Sequence, residues 1–554
     1  MCPRQFIATA AIVLCLSACG GGGSDSAPAP IVSPPPPPPV SSGPTWTKGV
    51  FEDESQFKDR CENPRSGTNP ATGNPFPDMA GSILEENHWL RSWSNNTYLW
   101  YSEIDDQDPA GFNDPLVYFD ELVTPAVTPS GNPKDQFHFT YDTAEYQELI
   151  SSGSSAGYGA EFAIISGAPP REIRVSIVES GSPAANSPAS LLRGTEILEI
   201  DGVDAVNGGT QADVDVLNAG LFPNAAGEMH TFTVRDIGSS TTRSFSMTSE
   251  SVTSAAVHTV KIENTPSGDT GYILFNTFGI RDAEEQIIDA MTQLSNANVN
   301  ELVLDLRYNG GGFLDIAAQL GYMVAGATRS NGKTFDNLTF NDKHPNINPV
   351  TGETLTPTPF HSTSLGFSKP SGQALPQLNL DRIFILSTAR TCSASEAVIN
   401  GLRGVDVDVV LIGDTTCGKP YGFYATDNCG TTYFTIQFKG ANDKGFGDYA
   451  DGFTPMNTTG PVGELVPGCN VADDFLNQLG DSNEALFSTA LAYSQSGSCP
   501  AGSSSTKFSK LRLQDQLQDE RPGSLYNSEH LRRHLLKQQV RDAGQRVSQE
   551  MVNE

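Results

Sequence analysis

Between about residues 255 and 497 the chain alternates short apolar, β-branched runs with amphipathic helical patterns, and this alternation restricts the fold more than any other feature. The runs are YILFNTF (272–278), ELVLDLR (301–307), RIFILST (382–388) and VDVVLIG (407–413), with AEEQIIDAMTQL (283–294) and SEAVINGLRG (395–404) between them. Strands separated by helices build an α/β layer with a parallel sheet, because a parallel connection has to cross back over one face. Residues 329–380, rich in Pro, Asn, Thr and Gly, are too long for a plain connection and read as an inserted lid or hairpin over a site.

A second pattern precedes the first. Residues 151–252 carry GYGAEF (157–162), the alternating strand IRVSIV (173–178), GSPAANSPASLLRGTEILEIDGVDAV (181–206) and the strand HTFTVRD (230–236), which together predict a β-rich domain. Residues 46–150 are mixed, with one convincing helix over Ser82 to Tyr101. There Ile83, Leu84, Trp89, Leu90, Trp93 and Leu99 recur at helical spacing, and the tryptophans are expected in the core. The predicted architecture is therefore α/β and multi-domain, as a length of 554 residues leads one to expect. Residues 500–554 form a polar tail of mixed charge, expected to be an appended solvated helix or disordered.

The N-terminus reads as an address. Arg4, the apolar stretch Phe6 to Leu16 and then Ser17-Ala18-Cys19 are too short for a permanent membrane helix. The segment 1–18 resembles a bacterial lipoprotein signal peptide, which makes Cys19 the acylated first residue of the mature chain. Residues 19–45, with the run Pro34 to Pro39, offer nothing to build a core. They read as a stiff tether holding a globular body off a membrane, with lipid as the only anchor. An excess of 65 acidic over 34 basic residues, net −31, repels phosphate backbones, so nucleic acid is excluded as a partner.

Export places the remaining cysteines in an oxidising compartment. Cys61, Cys392, Cys417, Cys429, Cys469 and Cys499 are an even set, and disulfides are the default. Proximity along the chain favours Cys417 with Cys429 and Cys469 with Cys499, leaving Cys61 with Cys392. No C-x-x-C pair or H-E-x-x-H motif is present, so neither a metal nor another cofactor is expected.

Three segments carry chemistry, each at the end of a predicted strand, where open α/β sheets place their sites. ELVLDLR runs into YNGGG, and Gly310, Gly311 and Gly312 let the backbone turn sharply and offer bare N–H groups to a substrate oxygen. Most glycine triplets are merely turns. In TARTCSASEAV, Ser393 lies between strand and helix, where amide groups and the positive end of the helix dipole favour an anionic intermediate. Ser393 and Glu396 also spell a capping box, the more ordinary use of that pair. In GDTTCGKPYGF, Lys419 follows another strand end. In an apolar pocket the pKa of such an amine falls from about 10.4, and a fall of about three pH units, roughly 4 kcal/mol, lets it take a serine proton. No G-x-S-x-G elbow is present, and none of the eight histidines sits in a recognisable triad motif.

DLRYNGGG, TCSASE and GDTTCGK, in that order after the GYGAEF…GSPA…RGTEILEIDGVDAV stretch, resemble the carboxyl-terminal processing peptidases, the PDZ-containing serine-lysine proteases also called tail-specific proteases. The likeness covers about residues 46–497. It implies an N-terminal mainly helical domain (46–150), a PDZ-like domain (151–252) and a crotonase-like ββα peptidase core (253–499). It makes Ser393 the nucleophile and Lys419 the general base, with Gly311 and the backbone N–H of Ala394 as the oxyanion hole. Thr416 then orients the lysine and Glu396 supports the nucleophile's helix. Gly157, Tyr158, Gly159 and Ala160 correspond to the loop that holds a terminal carboxylate beside an added edge strand.

Two positions depart from the family's pattern: Phe423 stands where Gln is common, and Gly404, with Asp406 nearby, where an acidic residue is common. The implied activity is that of a lipid-anchored extracytoplasmic endopeptidase of the bacterial envelope, on its periplasmic or cell-surface face, acting on polypeptides near disordered C-termini. The rival is an inactive PDZ-containing peptide-binding envelope lipoprotein.

Overall fold

The computed structural model describes residues 43–70, 72–458, 463–501 and 523–525. The signal segment with Cys19, the tether up to residue 42 and most of the tail lie outside the described residues. Among the described residues no helix is long and apolar enough to cross a membrane.

Helix α1 (Ile83–Thr97) begins where the sequence places it, because the Ser82 side chain accepts from the Glu85 N–H and caps it. It stops earlier than expected. Tyr98 is extended, with ψ 133°, and the backbone continues into a single 3-10 turn, Tyr101–Glu103. Trp89 and Trp93 are buried and stacked, with ring centroids 5.2 Å apart, against Tyr433 and Phe119. Tyr433 comes from the far side of the sequence. Strand Thr431–Phe434 pairs antiparallel with strand Phe139–Asp142, so the N-terminal region is sewn to the region that bears the chemical motifs.

The same seam corrects the expected disulfides. Cys61 bonds Cys429, and Cys392 bonds Cys417; only Cys469–Cys499 joins the partners that proximity favoured. Nearness along the chain misled because non-local pairing decides nearness in space. The Asp59 N–H donates to Asn428 Oδ1 at 2.8 Å, holding the two ends of the first bond together across 368 residues. The second bond joins the loops at the ends of two adjacent parallel strands.

The β-rich region contains β1 (Ser154–Gly157), β2 (Ala160–Ser166), β3 (Glu172–Val178), β4 (Glu196–Ile200), α2 (Gln211–Leu221), β5 (Met229–Arg235), β6 (Arg243–Thr248) and β7 (Glu250–Thr253). The sheet runs β6-β5-β4-β3-β2, all antiparallel, with β2 at one edge, and β1 pairs with β7. Alternation shows directly in burial: Ile173, Val175 and Ile177 of β3 face a core shared with Val214 and Leu217 of α2. A reciprocal Thr210–Asp213 capping box starts α2.

The α/β region adds β8 (Val257–Thr265), β9 (Gly268–Phe275), α3 (Ala283–Asn296), β10 (Glu301–Asp305), α4 (Leu314–Ser330), β11 (Arg382–Ser387), α5 (Ala394–Gly404), β12 (Asp408–Gly413), β13 (Gly468–Asn470) and α6 (Ala485–Ser496). Its sheet runs β8-β9-β10-β11-β12-β13, antiparallel at the first pair and parallel thereafter, as the strand–helix alternation predicts. The central strands β10, β11 and β12 are almost continuously apolar because both of their faces are covered. Ile273, Leu302, Leu304, Ile383 and Ile385 pack into the core with α3, α4 and α5. Tyr272, Val303, Phe384, Leu386 and Val410 pack into another with α6. The stretch 329–380 is built into the first of these cores, where Phe335, Phe340, Phe360, Phe367 and Leu375 are buried.

Arg307, just past the end of β10, has no exposed surface and bonds three carboxylates: Asp305, Glu484 and Asp473. Asp473 also accepts from Arg193 at 2.6 Å, and Arg193 donates to Tyr308 Oη at 2.8 Å, so the β-rich region is tied to the turn that follows β10. Removing the cation leaves buried negative charge uncompensated. Arg307→Met should therefore cost on the order of 3–5 kcal/mol in urea unfolding, with both regions losing stability together.

Candidate active site

Two strand-end loops meet before any catalytic group is considered. The loop after β11 is stitched to the turn after β10: Thr391 Oγ1 donates to the Leu306 carbonyl at 2.8 Å, and the Cys392 N–H and Ser395 Oγ both donate to the Asn309 carbonyl at 3.1 and 3.0 Å. Ser393 opens α5 with φ 54° and ψ −112°, a backbone conformation that a residue with a Cβ adopts only when its surroundings enforce it. The side chain is buried, and its Oγ has no hydrogen-bond partner among the described residues.

Glu396, one turn into α5, supplies the enforcement. Its fully buried carboxylate accepts from the Ser393 N–H at 3.0 Å, Thr416 Oγ1 at 2.5 Å, the Gly418 N–H at 2.8 Å and the Lys419 N–H at 2.8 Å. Burial pushes its pKa up from the ordinary glutamate value, and the four donors oppose that rise without cancelling it. The carboxylate half of the anticipated capping pair is present, in the Ser393 N–H bond, and the same carboxylate also gathers the lysine's loop. Thr416 is held in turn by the Phe453 N–H, which donates to its Oγ1 at 2.8 Å. The Cys392–Cys417 bond runs beside this cluster with 5.2 Å between Cα atoms, and the Cys417 N–H donates to the Thr391 carbonyl at 3.0 Å. The sulfurs approach Glu396 but are bonded to each other, so they do not form a thiolate metal site.

Lys419 is 5% exposed, and its Nζ lies 4.7 Å from the centroid of Phe137 and 4.5 Å from that of Phe423. Phe423, at the position of the family's glutamine, therefore walls the amine with an aromatic face. Phe137 was not found by sequence reasoning and has no local signal, because it belongs to the N-terminal region. Gly404 ends α5 about 16 Å along the helix from Ser393, at 1.5 Å per residue. Asp406 beyond it is an exposed partner of Lys444.

The glycine turn lies where expected, and one of its amides is engaged. The Gly311 N–H donates to Asn309 Oδ1 at 3.0 Å, Asn309 Nδ2 donates to the Phe275 carbonyl at 2.9 Å, and the Gly311 carbonyl accepts from the Phe278 N–H at 2.8 Å. Gly312 has φ 129°, and a Cβ there would lie 2.2 Å from Gly279 N, so no other residue fits. Asn309 is a second site residue that the sequence did not single out; its place in YNGGG was the available signal. Ala394 opens α5 directly after the serine.

The loop Gly157-Tyr158-Gly159-Ala160 joins β1 to the edge strand β2. The Tyr158 side chain is buried in the β-rich core, 5.5 Å from the Phe232 ring, so this residue can meet a ligand only through its backbone. The Gly159 carbonyl accepts from the Glu179 N–H at 2.7 Å.

Residues 269–423 match the family model for peptidase family S41. The match runs from β9 through both strand-end loops and includes Ser393, Glu396 and Lys419. A carboxyl-terminal-processing protease from a Picosynechococcus species is 27% identical over 176 residues, 31% of this chain and 39% of that protein, so the match spans well under half of the relative. A crystal structure assigned as an S41 protease from Bacteroides fragilis is 23% identical, with a TM-score of 0.54 over 76% of this chain and 99% of its own. That likeness supports the mixed α/β, multi-domain fold. The family resemblance read from DLRYNGGG, TCSASE and GDTTCGK is shown by these matches.

Within the segment that matches the family model, Glu396 is the mechanical centre. Thr416→Ala removes one charge-assisted bond and should cost about 2 kcal/mol in urea unfolding, whereas Glu396→Gln turns an amide nitrogen toward two donors and should cost at least about 3 kcal/mol.

Proposed function

We propose that this protein is a serine endopeptidase of the carboxyl-terminal processing type that works with a Ser393–Lys419 dyad. The observation that carries this reading is the shared carboxylate: Glu396 binds the backbone N–H of both residues within the S41 segment, which brings their loops to one point. Ser393 Oγ attacks the scissile carbonyl while the Lys419 amine takes its proton. The resulting ammonium donates that proton to the leaving amine, and water then hydrolyses the acyl-enzyme. Ala394 N–H and Gly311 N–H receive the oxyanion, the latter after the Asn309 side chain gives it up to the incoming oxygen. Thr416 orients the lysine's loop.

In the same reading the α/β region is a crotonase-like peptidase core and the β-rich region a PDZ-like module. The module receives polypeptide ends at Gly157–Ala160 along the edge strand β2. Cys19 carries lipid and holds the protein at the bacterial envelope.

The test is proteolysis of a tagged disordered protein, with product masses measured. Ser393→Ala and Lys419→Ala should each lower turnover by on the order of 10⁴-fold while keeping the wild-type circular dichroism spectrum. Wild-type turnover in either variant overturns the dyad. Cys19→Ser should move the protein from the membrane to the soluble fraction.

The engaged Gly311 amide and the phenyl ring of Phe423 favour one second reading, a module that binds polypeptides without cleaving them. Saturable binding with no products from the wild-type chain would select it.

A further inference from the structure

The described part of the C-terminal tail, Gly523–Leu525, does not stand apart from the body of the protein. Leu525 is fully buried and belongs to the apolar core of the β-rich region, in the same cluster as Ile200, Val214 and Leu217. Its N–H donates to the carbonyl of Gly167, the residue after β2, at 3.0 Å, and its carbonyl accepts from Asn218 Nδ2 of α2 at 3.1 Å. The Arg171 guanidinium donates to the Gly523 carbonyl. Gly523 has φ 73°, and a Cβ built there would lie 2.9 Å from the Gly209 carbonyl oxygen, a close approach that favours glycine. Ser524 between them is also buried.

Two of the three residues are therefore selected by their side-chain positions, and the backbone on either side of Ser524 is held separately. Backbone space and a left-handed φ select glycine, an apolar pocket selects leucine, and three polar groups from the turn after β2 and from α2 satisfy the backbone. Those groups belong to a folded region more than 300 residues away in sequence, as the separation of 307 between Asn218 and Leu525 shows. This is the pattern of a peptide ligand in a receptor site.

We propose that the groove between the end of β2 and α2 is a docking site for Gly-x-Leu segments, and that this chain fills it with its own residues 523–525. A polypeptide entering the region there must first displace the tail. A covalently attached segment competes at an effective concentration on the order of millimolar, so the tail sets a threshold for capture. The occupancy stands on the geometry alone; because the groove lies at the opposite end of β2 from Gly157–Ala160, the tail competes with a captured polypeptide that runs the length of that strand, and this role rests on the capture reading above.

The test uses a fluorescein-labelled peptide with the sequence of residues 519–529, DERPGSLYNSE. Its binding is measured by anisotropy to two full-length chains, one carrying Ser393→Ala and one carrying Ser393→Ala with Leu525→Asp. Cleavage is absent from the readout, so failure here is distinct from failure of the peptidase reading. The chain with the displaced tail should bind the peptide saturably and at least about tenfold more tightly than the chain with the native tail. Adding Asn218→Ala should weaken that binding, and a peptide with aspartate in place of its leucine should not bind. Equal affinity for the two chains, or no binding by a folded Leu525→Asp chain, overturns the proposal. Should Leu525→Asp abolish cooperative thermal unfolding of the β-rich region, a chain ending at residue 501 replaces it. If that chain also fails to fold, the segment is a fixed part of the core and the proposal is overturned.

Discussion

The buried carboxylate of Glu396 holds together groups that nothing local would bring into contact. It belongs to the first turn of α5, yet two of its four donors come from the N–H groups of Gly418 and Lys419, beyond the end of β12, and a third from the hydroxyl of Thr416. An anionic group with no exposure is costly unless donors surround it, and here the donors are the backbone of the two loops that must be aligned. The positive φ of Ser393 follows from the same arrangement. Its N–H is turned to the carboxylate, and the remaining strain is held by the stitches from Cys392 and Ser395 to the Asn309 carbonyl.

The parallel sheet provides the frame for this cluster. β10, β11 and β12 are neighbours in register, so the loops after their ends emerge side by side. Apolar side chains on both faces of each strand lock that register, since a slip by one residue exchanges the two cores. Arg307 adds a polar lock just past β10. Through Asp473 and Arg193 it connects the glycine turn with the β-rich region, so a disturbance in one region has a short, hydrogen-bonded route to the other. The aromatic wall around Lys419 draws on a third source, because Phe137 comes from the N-terminal region. Three segments far apart in sequence thus build one small site.

Much of this was legible in one dimension. The strand runs, their helices and the order of the three motifs are properties of spacing, and burial on both faces explains why the runs are uniformly apolar. The start of α1 and its tryptophans were legible for the same reason, since a helical stripe is a local pattern. The end of α1 was not: Tyr98 turns out of the helix into contacts that its neighbours in sequence do not reveal, its hydroxyl donating to Asp135 at 2.9 Å. The disulfides show the limit most clearly, because Cys61 lies beside Cys429 only in a fold where strands 139–142 and 431–434 are paired.

By itself the sequence determined the alternation of elements, the placement of Ser393 and Lys419 at strand ends, and the capping pair Ser393–Glu396, because each depends on residues within a few positions of one another. Tertiary structure alone decided that one carboxylate serves both loops, that Asn309 engages the Gly311 amide, that Phe137 and Phe423 enclose the amine, and that Leu525 reaches the β-rich core. Those contacts join residues tens to hundreds of positions apart. Their formation depends on packing free energy summed over the whole fold, which no local spacing encodes.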